Sequence, residues 1–130
     1  WRCNGRAKEK TKMSYDKNNI FAKILRGEIP CKKVYENKHV LAFHDVNPQK
    51  KIHVLVIPKG EYIDLDDFNS KASDKEIIEL SKAISHVSTL LGAKGKGYRT
   101  LTNIGSDGGQ EVSHLHFHIF AGEKVGKMVI

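Results

Sequence analysis

The sequence predicts an α+β domain built on a mainly antiparallel sheet. Segments with strand patterns outnumber those with helix patterns. One long stretch has helical spacing, and such a helix must cover one face of the sheet. The length of 130 residues, with 39% hydrophobic and 28% charged side chains, is typical of one globular domain and excludes a disordered chain. No apolar run approaches the roughly 20 residues that a membrane-spanning helix needs.

The first predicted elements are a short helix and three strands. The helix begins after Asn19, its apolar side chains share one face, and Gly27 ends it. Two strands are predicted at 33–36 and 39–44, joined by a tight connection. A third strand is predicted at 52–57, because β-branched residues dominate that run.

A long helix is the next predicted element. The polar, acidic stretch 61–69 is interpreted as the connection that leads to it. Ser73 and Glu76 form the S-x-x-E pattern of a capping box, which marks the start of a helix. Apolar residues then recur every three or four positions, and Gly92 is expected to end the helix.

Two strands complete the predicted domain. They are expected at 98–103 and 112–120, and a glycine-rich loop, 105–109, lies between them. No internal repeat is visible, so residues 13–130 are interpreted as a single domain. The long helix is expected to pack against one face of the sheet.

The net charge of +7 suggests an anionic partner such as nucleic acid, a membrane surface or a phosphorylated small molecule. Residues 1–12 hold five basic residues and one acid, so they supply +4 of this charge. We interpret 1–12 as a basic extension, expected to be disordered or artificial, ahead of an ordinary chain that begins at Met13. A basic interaction arm is the alternative. Without the contribution of residues 1–12, the net charge of residues 13–130 is ordinary.

Three histidines alternate along the last predicted strand. Side chains in a strand point to opposite faces in turn, so His114, His116 and His118 are expected to share one face. The intervening apolar residues can then pack beneath the long helix. Three imidazoles in a row are costly to bury, because every ring nitrogen needs a partner. The triplet therefore predicts a functional site.

The triplet allows two kinds of chemistry. Alternating histidines could supply zinc ligands. Alternatively, the middle histidine could be a nucleophile whose neighbours orient it and neutralise an anion. The glycine-rich run 105–110 directly precedes the strand, and its backbone N–H groups could cradle a phosphate. This favours phosphoryl chemistry.

Residues 109–120, GQEVSHLHFHIF, resemble the signature of the histidine triad (HIT) family. Further matches in the family's order, from IFAKI at 20–24 to NIG at 103–105, extend the resemblance over 19–122. The resemblance implies a HIT-like α+β fold, with a five-stranded mainly antiparallel sheet and one long and one short helix. The most similar branch is the nucleotide-binding one, whose members hydrolyse purine nucleoside phosphoramidates and related adenylates.

The resemblance also implies a role for each site residue. His116 would attack the α-phosphorus and form a nucleotidyl-histidine intermediate, which water then hydrolyses. His118 would bind a phosphate oxygen, while His114 and His53 would orient the nucleophile. Asp45 would accept hydrogen bonds from the ribose. The other nucleotide-binding positions that the resemblance implies are Ile20, Phe21, Ile24, Phe43, His44, Val46, Asn103, Gly109, Gln110 and Val112.

The resemblance further implies a homodimer that acts on a purine nucleoside monophosphate or a nucleotidyl compound, with no cofactor, metal, nucleic acid or membrane partner. Many relatives hold a structural zinc with a C-x-x-C pair, but Asn19 and Ala22 occupy those positions here. Glu111 replaces a serine that helps the leaving group in that branch. With two cysteines, the chain is expected in the reducing cytoplasm.

Two alternatives to this enzyme remain at the level of sequence. The first is a nucleotide-binding regulatory or scaffold protein with incidental activity. The second is a zinc enzyme that uses the histidine triplet. General nucleic-acid binding rests on charge alone, because neither a basic helix nor an aromatic ladder is evident.

Overall fold

The computed structural model describes residues 14–127, and these form a five-stranded antiparallel sheet with three helices. The strand order is β1-β2-β3-β5-β4. The predicted extension at 1–12 lies outside the described residues. In chain order the elements are α1 (Ile20–Leu25), β1 (Lys33–Glu36), β2 (Val40–His44), β3 (Ile52–Pro58), α2 (Leu65–Lys71), α3 (Asp74–Leu90), β4 (Arg99–Leu101) and β5 (Phe117–Ala121).

The central strands β2 and β3 are buried on both faces, which explains their continuous apolar runs. On one face α3 covers a large core. On the other face a smaller core packs around Phe21 of α1. The larger core holds Val40, Ala42, Val54, Val56, Phe68, Leu80, Ala83, Val87, Leu115 and Ile119, and the smaller holds Phe21, Leu41, Phe43, Leu55 and Ile57.

The two predicted helices begin and end as their cap residues indicate. Asn19 accepts a hydrogen bond from the backbone N–H of Ala22 over 2.9 Å, and Gly27 follows the helix with φ +79°. At α3, Ser73 and Glu76 form the full capping box, each side chain bonding the other residue's backbone N–H. The capping prediction is confirmed. None of the helices in 14–127 is long and apolar enough to cross a membrane.

Helix α2 is the element that the sequence-based prediction missed. The stretch 61–69 was expected to be a connection, but α2 begins within it, and Asp64 caps it by accepting from the N–H of Asp67 over 2.8 Å. Only Phe68, which is 1% exposed, carries the helix deep into the core. A single deeply buried apolar side chain among acidic residues gives no helical periodicity, so the sequence pattern does not predict this helix.

The last two strands are shorter than predicted. β4 is Arg99–Leu101 rather than 98–103, and β5 is Phe117–Ala121 rather than 112–120. His114 and His116 therefore precede the strand instead of lying within it. Their segment is held by other bonds, including Leu115 N–H to the carbonyl oxygen of Tyr62 at 2.9 Å. The intervening residues Leu115, Phe117 and Ile119 pack in the larger core, as expected.

Candidate active site

A cavity of about 600 Å³ opens on the sheet face that α1 only partly covers. Its walls come from α1, from β3 and β5, and from the loops after β2 and β4. Two carboxyl groups and three imidazoles face it among mostly apolar and amide side chains. The lining residues are Phe21, Asp45, Asn47, Gln49, His53, Leu55, Leu101, Asn103, Gly109, Glu111, Val112, His116, His118 and Phe120.

The main chain holds His116 in one tautomer. Its Nδ1 lies 2.7 Å from the carbonyl oxygen of His114, which can only accept a hydrogen bond, so Nδ1 carries the proton. The neutral ring then has its lone pair on Nε2. Burial lowers the pKa of His116 below its ordinary 6.5, so the ring is uncharged at neutral pH. An uncharged imidazole with this tautomer is chemically suited to be a nucleophile.

A chain of hydrogen bonds fixes the tautomers of His53 and His118. The backbone N–H of Gln49 donates to Nδ1 of His53 over 3.1 Å, so the His53 proton is on Nε2. That Nε2 lies 2.9 Å from Nδ1 of His118 and donates to it. His118 must then carry its own proton on Nε2, where it can be donated to an oxygen atom. His53 was expected to orient His116, and the structure shows its ring nitrogen bonded to His118.

Burial also keeps these two rings uncharged. It lowers the pKa of His118 to about 4, with a smaller contribution from the neighbouring His116 and His53. Burial lowers the pKa of His53 too. Asp45 opposes this shift, because its Oδ2 lies 3.4 Å from Nε2 of His53. The three imidazoles that face the cavity are therefore neutral at neutral pH.

His114 is fully buried and lies behind the cavity wall. Its Nε2 is 2.8 Å from the carbonyl oxygen of Pro58, and its Nδ1 is 2.5 Å from the hydroxyl of Tyr15. Burial lowers the pKa of His114 to about 4. The ring is thus anchored away from His116, and the contact between the two residues runs through the His114 carbonyl oxygen.

The structure brings together about half of the residues predicted to bind a nucleotide. Phe21, Asp45, Asn103, Gly109 and Val112 line the cavity with three of the four predicted catalytic histidines. A second cavity of about 680 Å³ shares Asp45 and His53 with the first. Besides those two, it is lined by Pro30, Cys31, Lys32, His44, Val46, Pro48 and Lys51.

The remaining predicted positions have other surroundings. Ile20 is 44% exposed and lines neither cavity. Phe43 and Ile24 pack in the smaller core. Gln110 braces its own loop, because its side-chain amide donates to the carbonyl oxygens of Ile63 and Val112 and accepts from the N–H of Gly105.

Several lining residues were not predicted. Phe120 follows His118 by two positions on β5, so strand alternation could have identified it. Its ring stacks on His118 with centroids 5.4 Å apart. Gln49 contributes a backbone N–H. Tyr15, which lies outside the lining, was also not predicted, and it is 99 positions from its partner His114. No local pattern signals either contact.

The glycine-rich loop turns tightly beside the cavity. A Cβ at Gly108 would lie 2.3 Å from the carbonyl oxygen of Ile104, so only glycine fits there. The N–H groups of Gly109 and Gln110 already donate within the loop, to the carbonyl oxygens of Ser106 and Gly105. The expected phosphate cradle must therefore use other donors.

One cluster has the spacing of a metal site. Ligand atoms of Asp45, His53 and His118 all lie within 4.8 Å of one another. However, the Gln49 N–H commits the His53 proton to Nε2, the atom that a metal would need. Both ring nitrogens of His114 are also engaged. The hydrogen bonding thus disfavours the zinc alternative.

Comparison with known proteins gives consistent matches. The HIT domain model matches residues 26–125. An uncharacterized HIT-like protein of Azospirillum brasilense is 57% identical over 116 residues, which are 89% of this chain and 95% of that protein. A HIT family hydrolase from Clostridium thermocellum superposes with a TM-score of 0.80 at 36% identity, covering 88% of this chain and 99% of the other. A HIT family hydrolase from Legionella pneumophila superposes with a TM-score of 0.75 at 35% identity, covering 84% of this chain and 96% of the other.

Proposed function

This chain belongs to the HIT family, and on that premise we propose that it is a purine nucleoside phosphoramidase-type hydrolase. It acts at the α-phosphate of nucleoside phosphoramidates or related nucleotidyl compounds. The reaction proceeds through a covalent nucleotidyl intermediate on His116. Hydrolase is also the description given to two of its structural relatives.

The observation that carries this proposal is the tautomer of His116. The bond from Nδ1–H to the His114 carbonyl oxygen leaves the lone pair on Nε2, and burial keeps the ring neutral. Nε2 attacks the α-phosphorus, a phosphorus–nitrogen bond to His116 forms, and the bond to the leaving amine breaks. The amine departs with a proton taken from solvent, and the water that attacks in the next step returns one proton to solvent. Water then attacks phosphorus and breaks the bond to His116, which restores the neutral ring and releases the nucleoside monophosphate.

His118 stabilises charge on the phosphate during both steps. Its Nδ1 accepts from His53, so its Nε2–H is the donor that can bind a phosphate oxygen. Positioning and charge stabilisation are the main contributions a protein makes to phosphoryl transfer. The backbone N–H of Gln49 begins this chain of bonds, and it keeps His53 and His118 in the required tautomers.

Asp45 binds the ribose in this proposal. Its Oδ1 accepts from the backbone N–H of Asn47 over 2.9 Å, which orients the carboxylate. A carboxylate matches a pair of adjacent hydroxyls because both of its oxygens accept hydrogen bonds. Asp45 lies where the two cavities meet, so the base extends into the second one, against Val46 and Pro30.

We further propose a cytoplasmic homodimer, on the strength of the family resemblance. β1 and β4 are the outer strands of the sheet, and an outer strand offers unpaired backbone groups to a second copy. Sedimentation at several concentrations tests this part of the proposal. A monomer at all concentrations would contradict it.

Kinetics of the His116→Ala variant test the central proposal. With adenosine and guanosine 5′-phosphoramidates as substrates, we expect kcat to fall at least about a thousandfold, because the nucleophile is gone. The matched control is His86→Ala, whose ring packs on Tyr35 outside the cavity, and it should keep wild-type kcat. A wild-type rate in His116→Ala would refute the proposal. Tight binding of nucleoside monophosphate with no turnover by the unaltered protein would favour the scaffold alternative.

A further inference from the structure

We propose that Tyr15 is a positioning residue for the nucleophile. Its hydroxyl donates to the second ring nitrogen of the buried His114, and the carbonyl oxygen of His114 holds His116. The inference rests on the proposed role of His116 and is independent of which nucleotide is bound. If Tyr15 has this role, the segment before α1 contributes to the site.

The hydrogen bonds around His114 leave one consistent assignment. The carbonyl oxygen of Pro58 can only accept, so the Nε2 of His114, 2.8 Å away, carries the proton. Nδ1 of the neutral ring is then an acceptor. The Tyr15 hydroxyl lies 2.5 Å from Nδ1 and donates to it. The two rings also meet edge to face, with centroids 5.6 Å apart.

The effect reaches His116 through one residue. His114 is clamped at both ring nitrogens, and its carbonyl oxygen accepts the Nδ1–H of His116 at 2.7 Å. Phe21 contacts both rings edge to face, with centroids 6.3 Å from His114 and 4.9 Å from His116. A change in the position of the His114 ring therefore changes the group that sets the tautomer of the nucleophile.

Tyr15 is well placed to remain a donor. Burial raises the pKa of its hydroxyl, so the proton is retained at neutral pH. The segment that carries it is tied to α1, since the Asn19 side chain donates to the carbonyl oxygen of Asp16 over 2.7 Å. Tyr15 lines neither cavity next to Asp45. It therefore acts through His114.

Loss of the hydroxyl alone breaks this arrangement. In Tyr15→Phe the ring still closes off His114 from water, so Nδ1 has no replacement donor. The His114 ring can recover a bond to Nδ1 only by turning. A change of tautomer gains no partner at the phenyl ring and sets two acceptors face to face at Pro58. We expect the ring to turn and to disturb the carbonyl oxygen that holds His116.

The test compares Tyr15→Phe with Tyr35→Phe, which removes a hydroxyl of the same kind outside the cavity. We expect kcat to fall about tenfold in Tyr15→Phe, with KM changed less than twofold and the melting temperature well above the assay temperature. Nitrogen-15 NMR of the free protein should show the Nδ1–H signal of His116 shifted in Tyr15→Phe and unchanged in Tyr35→Phe.

The NMR arm separates this inference from the proposed function, because it needs no turnover. In the unaltered protein, Nδ1 of His114 should resonate as an unprotonated nitrogen that accepts a hydrogen bond, a result that needs no variant to fold. A protonated Nδ1 overturns the inference. So does an unshifted His116 signal, or a wild-type kcat, in Tyr15→Phe. An inactive wild-type protein with the expected nitrogen shifts would count against the proposed function alone.

Discussion

The two faces of the sheet differ in how completely they are covered. On one face α3, 17 residues long, leaves Val54, Val56 and Ile119 with no exposed surface. On the other face α1 has only six residues, and its Phe21 packs beside Phe43 in the smaller core. The part of this face that α1 does not cover is the wall of the cavity that holds His53, His116 and His118. Because the covering helix is short, part of this sheet face is left open as a cavity.

Neighbouring residues of the same strand alternate between the cavity and the core beneath α3. In β3, His53 and Leu55 face the cavity while Val54 packs beneath α3. In β5, His118 faces the cavity and Ile119 the core. Changes on the α3 face should therefore alter stability, and changes on the cavity face should alter binding or turnover.

The largest expected effect on stability is that of Phe68→Ala, and Phe120→Ala is its comparison. Phe68→Ala removes a ring buried in the α3 core, and the free energy of unfolding should fall by about 3–5 kcal/mol. Phe120→Ala removes a half-buried ring from the cavity face, where it stacks on His118. It should cost less stability and more activity. Urea unfolding and steady-state kinetics of both variants give the comparison, and equal losses of stability with equal activities would contradict it.

Acid should destabilise the protein through its buried, neutral histidines, of which His114 has no exposed surface. The pKa of His114 is about 4 when folded, against an ordinary 6.5, so the unfolded chain takes up the proton first as the pH falls. Its contribution, about 3 kcal/mol, is complete above pH 6.5 and is lost between pH 6.5 and about 4.

Urea unfolding across that pH range measures this effect. His114→Gln removes one titrating group and should make the dependence shallower by about the His114 contribution, while the lowered pKa values of His118, His116 and His53 maintain the rest. His86→Gln, on the exposed side of α3, should leave the dependence unchanged. A wild-type stability that is constant from pH 6.5 to 4 would show that His114 is not buried in its neutral form.

The smallest expected effect concerns the proposed ribose contact of Asp45. Asp45→Asn keeps an acceptor for the Asn47 N–H but removes the charge, so KM should rise about tenfold while kcat changes less than about twofold. Asp66→Asn, on the exposed side of α2, is the control and should change neither value. An Asp45→Asn variant with an unchanged KM would place the ribose elsewhere.

Most of the fold was predictable because its signals are local. The capping box at Ser73 and the β-branched run of β3 marked their elements. Helix α2 was missed because Phe68 alone anchors it deeply, and β5 was drawn too long because side-chain alternation continues through 114–116 where strand pairing does not.

The site was predictable in its residue types and less so in its contacts. The spacing of the triplet singled out His116 and His118, and the resemblance added Asp45. The Gln49 contact depends on a backbone N–H, which every residue but proline has, and the Tyr15 contact depends on tertiary structure. The role of the His114 carbonyl oxygen follows from backbone geometry, which the side-chain pattern does not encode.

Direct detection of the covalent intermediate tests the central claim most directly. The protein is mixed with a slowly hydrolysed adenosine 5′-phosphoramidate, quenched in base during turnover, digested and analysed by mass spectrometry. We predict one nucleotidyl group, attached to His116 and absent from the His116→Ala protein. Turnover with no attached nucleotide, or attachment to His114 or His118 instead, would contradict the account.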